Sequence, residues 1–237
     1  MVNTVTREEY LKSLFDVYSL VSVLSDKNGC KVLRVRNKVT ARDMIVRSFF
    51  SPVRAYEELY NISSVNLPFI YDVINTVDGQ IVLEEFVDGV TVAEVMESGS
   101  YHYWGARKVI RSVCNALAIL HERNLVHRDI KPENIVIGKD GRVVLIDFNA
   151  ARKLTIAKKD TVIMGTVGYA SPEQLGVAQS DARTDIYALG VLLNVMITGE
   201  HPSEKIAEGK VGRIVRKCTN VNPDDRYQSV EKLANSL

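Results

Sequence analysis

Apolar and polar positions alternate with period two through the first third of the chain and recur at helical spacing through the rest. Val17, Leu20, Val21 and Val23 run into Lys27-Asn28-Gly29, and Asn-Gly beside an apolar run is a strong hairpin signal. Residues 30–37 follow with Lys31, Leu33 and Val35 on one face of a second strand. A turn over residues 40–43 and a third strand over 44–50 come next. Ser51-Pro52 reads as the N-cap and first position of a helix carrying Tyr56, Glu57, Glu58 and Leu59. Two more strands, over residues 70–77 and 80–86, meet at Asp78-Gly79.

Beyond Asp88-Gly89 the pattern turns helical. Val109, Val113, Ala116, Leu117 and Leu120 form an amphipathic stripe, and paired strands are predicted over residues 134–138 and 142–147. Residues 185–197 are apolar nearly all round, which predicts a fully buried helix, and amphipathic helices close the chain. Strands first and helices afterwards predict an α+β protein. The predicted division is 1–86 against 87–237, within one domain over residues 1–237.

Composition narrows the classes. The 237 residues hold 30 Lys plus Arg against 29 Asp plus Glu, a net charge of +1. A chain without a basic field is not expected to bind nucleic acid or an anionic membrane. The three cysteines, Cys30, Cys114 and Cys218, are too far apart for a zinc site or a disulfide framework. The first residues lack the apolar core of a signal peptide, and the apolar stretch 188–197 is too short to span a bilayer. The expectation is a soluble cytoplasmic protein with no membrane segment. His102, His121 and His201 have no metal-ligand spacing around them, and Trp104 reads as an anchor for its helix.

The chemistry concentrates in His127-Arg128-Asp129-Ile130-Lys131-Pro132-Glu133-Asn134, followed by Asp147-Phe148-Asn149 at the end of a strand. Asn134 and Asp147 offer hard oxygen ligands suited to Mg²⁺. Lys131 is placed to neutralise a transferring phosphoryl group, and Asp129 to orient a hydroxyl and accept its proton.

With these residues in view, the chain resembles the eukaryotic-type (Hanks-type) Ser/Thr protein kinases, as a minimal bacterial-like member with a reduced N-terminal lobe. The H-R-D-x-K-P-x-N loop is complete. Residues 165–173 resemble the peptide-docking segment, with Ser171 where the A-P-E motif has alanine. The resemblance implies a two-lobed fold, a small β-rich lobe with one main helix and a larger helical one. It implies ATP and Mg²⁺ as cofactors and a protein substrate. Asp129 would be the base, Lys131 the phosphate-contacting lysine, and Asn134 and Asp147 the metal holders. Lys131 with Thr166 is similar to the Ser/Thr-specific subclass. Backbone groups near Glu85 and Val87 would read the adenine, between Ile45 as roof and Val136 as floor. Asp185 would hold the catalytic-loop backbone, and Arg226 would pair with Glu173.

The first half departs from that pattern. No G-x-G-x-x-G lies between the first two strands, and Arg47 stands where the family has the strand-three lysine. Glu58 is the expected helix partner of Arg47, with Glu57 as the fallback. Lys31 has two readings: a compensating phosphate contact on a nucleotide-facing side, or a solvated strand-end lysine. Glu84 falls at the position before the hinge that is normally apolar, and a buried carboxylate there calls for Arg47 as partner. Asn149 replaces the D-F-G glycine, as a residue that tolerates left-handed backbone. A phosphate on Thr161, with Thr155 and Thr166 nearby, would be clamped by Arg128 and by Arg152, Lys153, Lys158 and Lys159.

The leading expectation is therefore an ATP-dependent protein Ser/Thr kinase. The alternative is a pseudokinase or weakly active nucleotide-binding scaffold, motivated by Arg47 and the missing glycine loop. A small-molecule phosphotransferase is disfavoured by the docking segment. No oligomeric state is assigned.

Overall fold

The computed structural model describes residues 5–27, 30–99, 101–154, 166, 168–175 and 180–237. It opens on a helix that the apolar alternation does not reveal, α1 (Arg7–Val17), so Val17 closes a helix instead of starting a strand. Thr6 and Glu9 build a capping box: the Thr6 hydroxyl accepts from the Glu9 N–H, and the Glu9 carboxylate accepts from the Thr6 N–H at 2.9 Å. Two of the amide donors left open at a helix start are thereby satisfied.

Five strands follow, with one short helix between them. They are β1 (Tyr18–Lys27), β2 (Cys30–Asn37), β3 (Asp43–Phe49), β4 (Ile70–Thr76) and β5 (Gly79–Glu85), and α2 (Arg54–Leu59) lies between β3 and β4. They form one antiparallel sheet in the order β1-β2-β3-β5-β4. The predicted Asn28-Gly29 turn lies outside the described residues. The predicted start of α2 at Ser51-Pro52 is corrected. Val53 precedes the helix with extended backbone, and its N–H donates to Gln80 Oε1 at 3.0 Å, which delays the first turn.

Register assigns the two faces of the sheet. Leu33 lies opposite Val46 and Val46 opposite Leu83; with Val35, Ile74 and Ile81 they make an apolar core that Tyr10, Leu11 and Leu14 of α1 cover. Val32, Arg47 and Val82 stand in line on the other face, beside Arg34, Ile45 and Glu84. Lys31, opposite Ser48, belongs to the α1 side. The expectation that Lys31, Leu33 and Val35 share the nucleotide-facing side is therefore corrected. Alternation groups residues by face, but an undetected helix occupies that face.

These elements fold as one unit, residues 1–64 with 68–87; residues 65–67 with 88–237 make a second. Its elements are β6 (Gly89–Thr91), α3 (Val92–Met96), α4 (Tyr103–Glu122), β7 (Leu125–Val126), β8 (Ile135–Gly138), β9 (Val143–Leu145), β10 (Arg152–Lys153), α5 (Ala182–Thr198), α6 (Gly209–Cys218) and α7 (Val230–Ser236). The strands pair as β6-β8-β9 and β7-β10. Asn66 belongs here because its amide donates to Val143 O at 2.8 Å and its carbonyl accepts from Leu145 N at 3.0 Å.

The α4 stripe of Val109, Val113, Ala116, Leu117 and Leu120 is buried, and α5 is buried along nearly its whole length. Asp181 caps α5, and Gly199 ends it in the left-handed region at φ 75°. At Gly190 a Cβ would lie 2.3 Å from Cys218 Cβ, so α5 meets α6 at backbone distance there. The α+β expectation holds, with sheet in the first part and helix in the second. Among the described residues no helix is long and apolar enough to cross a membrane.

Candidate active site

Three side chains of the second unit converge on one carboxylate, that of Asp129. Pro132 starts a single tight helical turn over Pro132–Asn134, which swings Asn134 back towards Asp129. Asn134 Nδ2 donates to the Asp129 carbonyl at 2.9 Å and to Asp129 Oδ2 at 3.0 Å. Lys131 Nζ lies 3.0 Å from the same Oδ2. Thr166 Oγ1 donates to Asp129 Oδ1 at 2.7 Å and accepts from Lys131 Nζ at 3.0 Å. Burial works to raise the Asp129 carboxyl, but the Thr166 hydroxyl, the Lys131 ammonium and the Asn134 amide outweigh it and hold it below the ordinary aspartate value. The carboxylate is thus ionised and oriented from three sides.

Asp147 follows β9. Ile146 N–H donates to the Asn134 carbonyl at 2.9 Å, which sets residue 147 next to the turn bearing Asn134. Asp147 takes φ 67°, a left-handed value rare outside glycine, and its Oδ1 accepts the Asn149 N–H at 3.3 Å. Asn149 itself is not in the left-handed region, so the backbone freedom expected at Asn149 is used two residues earlier, at Asp147. Arg128, just before the carboxylate, is left-handed too, at φ 66°. Strain at two such residues persists only where the surroundings over-determine it.

Asp185 provides that determination at Arg128. Fully buried on α5, it accepts the N–H groups of His127 at 3.0 Å and Arg128 at 2.8 Å, and its Oδ2 lies 2.8 Å from His121 Nε2. Burial pushes its carboxyl up; His121, His127 and the Arg128 N–H together bring it below the usual value. His121, read from the sequence as no ligand, positions this carboxylate. Gln174 adds a second brace: its amide donates to the Arg128 carbonyl at 2.8 Å and its oxygen accepts the Ser171 N–H at 3.1 Å. Neither His121 nor Gln174 has a local sequence signal, because the partners lie 64 and 46 positions away. Glu173 and Arg226 form a two-pronged buried pair at 2.6 and 2.9 Å, and Thr184 adds a hydroxyl at 3.0 Å.

The first unit holds the rest of the predicted residues. Arg47 Nε donates to Glu84 Oε1 at 2.6 Å, with side chains 6% and 2% exposed. Glu57, the fallback partner, is exposed and accepts from Asn75 at 3.0 Å and Gln80 at 3.4 Å, while Glu58 is half-buried on α2. Glu85 N–H donates to Phe69 O at 2.8 Å, and Val87 ends the unit, half-buried. Ile45 is buried on the Arg47 face, and Val32, missed from the sequence, faces Arg47 across the ladder. Lys31 is half-exposed beside Asp26 at 3.6 Å.

In the second unit Val136 is buried on β8. Trp104 is 69% exposed, with its ring edge against Tyr103, so it does not anchor its helix in the core. Thr155, Thr161, Lys158, Lys159, Gly165 and Val167 lie outside the described residues.

A folded kinase-type catalytic loop and a strand-rich part before a helical part define a phosphotransferase-like architecture. The protein kinase domain family matches residues 13–236, and the chain belongs to that family. It is 29% identical to the serine/threonine-protein kinase PknB of Mycolicibacterium smegmatis, over 94% of this chain and 43% of that protein. The PknB of Mycobacterium tuberculosis is 28% identical over the same shares. The serine/threonine-protein kinase PknL of that organism is 41% identical over 50% of this chain and 30% of its own length. The chain spans less than half the length of these curated relatives.

Proposed function

We propose that the chain transfers the γ-phosphoryl group of ATP to Ser or Thr hydroxyls of a protein substrate. The observation that carries this reading is the Asp129 carboxylate held ionised by Thr166, Lys131 and Asn134. A substrate hydroxyl at Asp129 would be aimed by that carboxylate and lose its proton to it as the phosphoryl group arrives. Lys131 would neutralise charge on the moving group. Thr166, joined to both, fits a serine or threonine acceptor, as the names of the relatives suggest.

The donor set suits Mg²⁺. Both Asn134 amide bonds use Nδ2, which leaves Oδ1 as its ligand atom, and Asp147 supplies a carboxylate. One carboxylate and one amide oxygen completed by phosphate oxygens is an ordinary magnesium environment. Bound there, the ion would supply charge neutralisation at the phosphates. Ile45, Glu85, Val87 and Val136 would take the adenine-facing roles that the resemblance implies. Arg47 would serve as the strand-three cation, with Glu58 beside it, in a form already tied to Glu84.

The test is phosphoryl transfer from γ-labelled ATP to a generic Ser/Thr-rich protein in Mg²⁺. Label should appear on Ser or Thr and vanish in Asp147→Asn. Absence of transfer with every substrate and metal tried would overturn the reading in favour of a nucleotide-binding scaffold.

A further inference from the structure

Residues 19–25 read Ser-Leu-Val-Ser-Val-Leu-Ser, the same in both directions about Ser22. They fill the middle of β1, the outermost strand of the five-stranded sheet. One edge of β1 pairs with β2, and among the described residues no strand pairs with the other. Leu20, Val21, Val23 and Leu24 are 49%, 41%, 54% and 54% exposed, an apolar run on a strand whose charges, Asp26 and Lys27, sit only at its end. Edge strands are normally blunted by central charges, by proline or by bulges. Here only bulges are present, at Val21 and Leu24. Each leaves its residue without an opposite number on β2, and both side chains are exposed.

We propose that this edge pairs antiparallel with the same edge of a second copy of the chain, about a two-fold axis through Ser22. In that register Leu20 faces Leu24, Val21 faces Val23, Ser19 faces Ser25, and Ser22 faces itself. Every apolar side chain meets an apolar one, and every hydroxyl a hydroxyl. A two-fold contact requires a patch complementary to itself, and a palindromic strand satisfies that requirement at each position. Asp26 falls opposite Tyr18, which brings a phenol to a carboxylate. The partner is identified by this self-complementarity, since a strand of unrelated sequence would meet no such matching. The contact does not depend on the proposed activity.

Sedimentation velocity on the intact chain, from about 1 μM to about 1 mM, covers the range of small interfaces. The unsubstituted chain should move from monomer to dimer. Val21→Glu with Val23→Glu, and separately Val21→Lys with Val23→Lys, should each weaken dimerisation at least tenfold. An equal mixture of the two variants should dimerise again, because position 21 of one faces position 23 of the other. Ser22→Cys, a small exchange that reads register, should cross-link under mild oxidation faster than Ser13→Cys or the unsubstituted chain with its native Cys30. A chain that stays monomeric throughout, a dimer indifferent to the charges, a mixture that stays monomeric, or Ser22→Cys no faster than the controls would each overturn the proposal.

Discussion

Arg47 Nε lies 2.6 Å from Glu84 Oε1, and both side chains are almost wholly removed from solvent. Burying two ions costs several kcal/mol each, which their attraction offsets only while both are present. Arg47→Met alone should therefore destabilise the fold by about 3–5 kcal/mol, and Glu84→Leu alone by a similar amount. The double substitution should cost clearly less than their sum. Urea melts of the four members of the cycle measure the coupling, and a value under about 0.5 kcal/mol would contradict a shared buried pair.

Thr166 donates to the Asp129 carboxylate and helps to keep it ionised. Asp129→Asn should lower transfer by about 10²–10⁴, the usual contribution of a positioned base. Thr166→Val should act differently, by letting the Asp129 pKa rise. A base must be deprotonated to work, so the acid limb of kcat/KM against pH should move to higher pH in Thr166→Val. An unmoved limb would mean that Thr166 does not tune the base.

Asp185 accepts two buried backbone N–H groups, those of His127 and of the left-handed Arg128. Asp185→Ala removes both acceptors at once. Each orphaned buried donor costs about 1–3 kcal/mol, so a stability loss of about 3 kcal/mol or more is expected, with loss of transfer. A thermal melt close to that of the parent chain would contradict this account.

Gly190 is packed so closely that a Cβ would lie 2.3 Å from Cys218 Cβ. Alanine is ordinarily better than glycine inside a helix. Here the clash should win, and Gly190→Ala should destabilise by about 1–3 kcal/mol. Calorimetry would show a lowered Tm; a raised Tm would mean that α6 yields freely.

Asp43 sits between Arg36 and Arg34, whose hydrogen bonds, Arg36's foremost, bring its carboxyl to about 2. Its folded value lies below the ordinary unfolded value of about 3.9. Its stabilisation is thus complete above about pH 4 and is lost as the pH falls through about 2. Denaturant melts at pH 7 and pH 3 should show Asp43→Asn losing less stability on acidification than the parent chain.

What the sequence makes legible follows from how local each cause is. The string from His127 to Asn134 carries its chemistry at fixed spacing, and the turn at Pro132 brings Asn134 back to Asp129 without help from afar. The role of Asp185 is legible only through the family resemblance, since the N–H groups it accepts lie 58 and 57 positions away. The α1 helix was missed because its packing face is short and its clearest signal is the Thr6-x-x-Glu9 capping box. That omission carried a second error, the side assigned to Lys31, since alternation sorts residues into two faces without saying what covers either. His121 and Gln174 were out of reach, because their roles exist only through partners brought together by folding. The left-handed residue at Asp147 in place of Asn149 was hidden as well, since φ is set by the loop around it and not by residue preference alone.

The bonds at Asp129 also admit a count of valences. A carboxylate offers about four lone-pair positions. Among the described residues Thr166 takes one on Oδ1, and Asn134 and Lys131 take two on Oδ2. One position on Oδ1 remains, and it seats a single hydroxyl. An acceptor docked there and a water molecule are therefore mutually exclusive occupants. On the proposed activity, an acceptor hydroxyl at that position would keep water from taking the same place on Asp129.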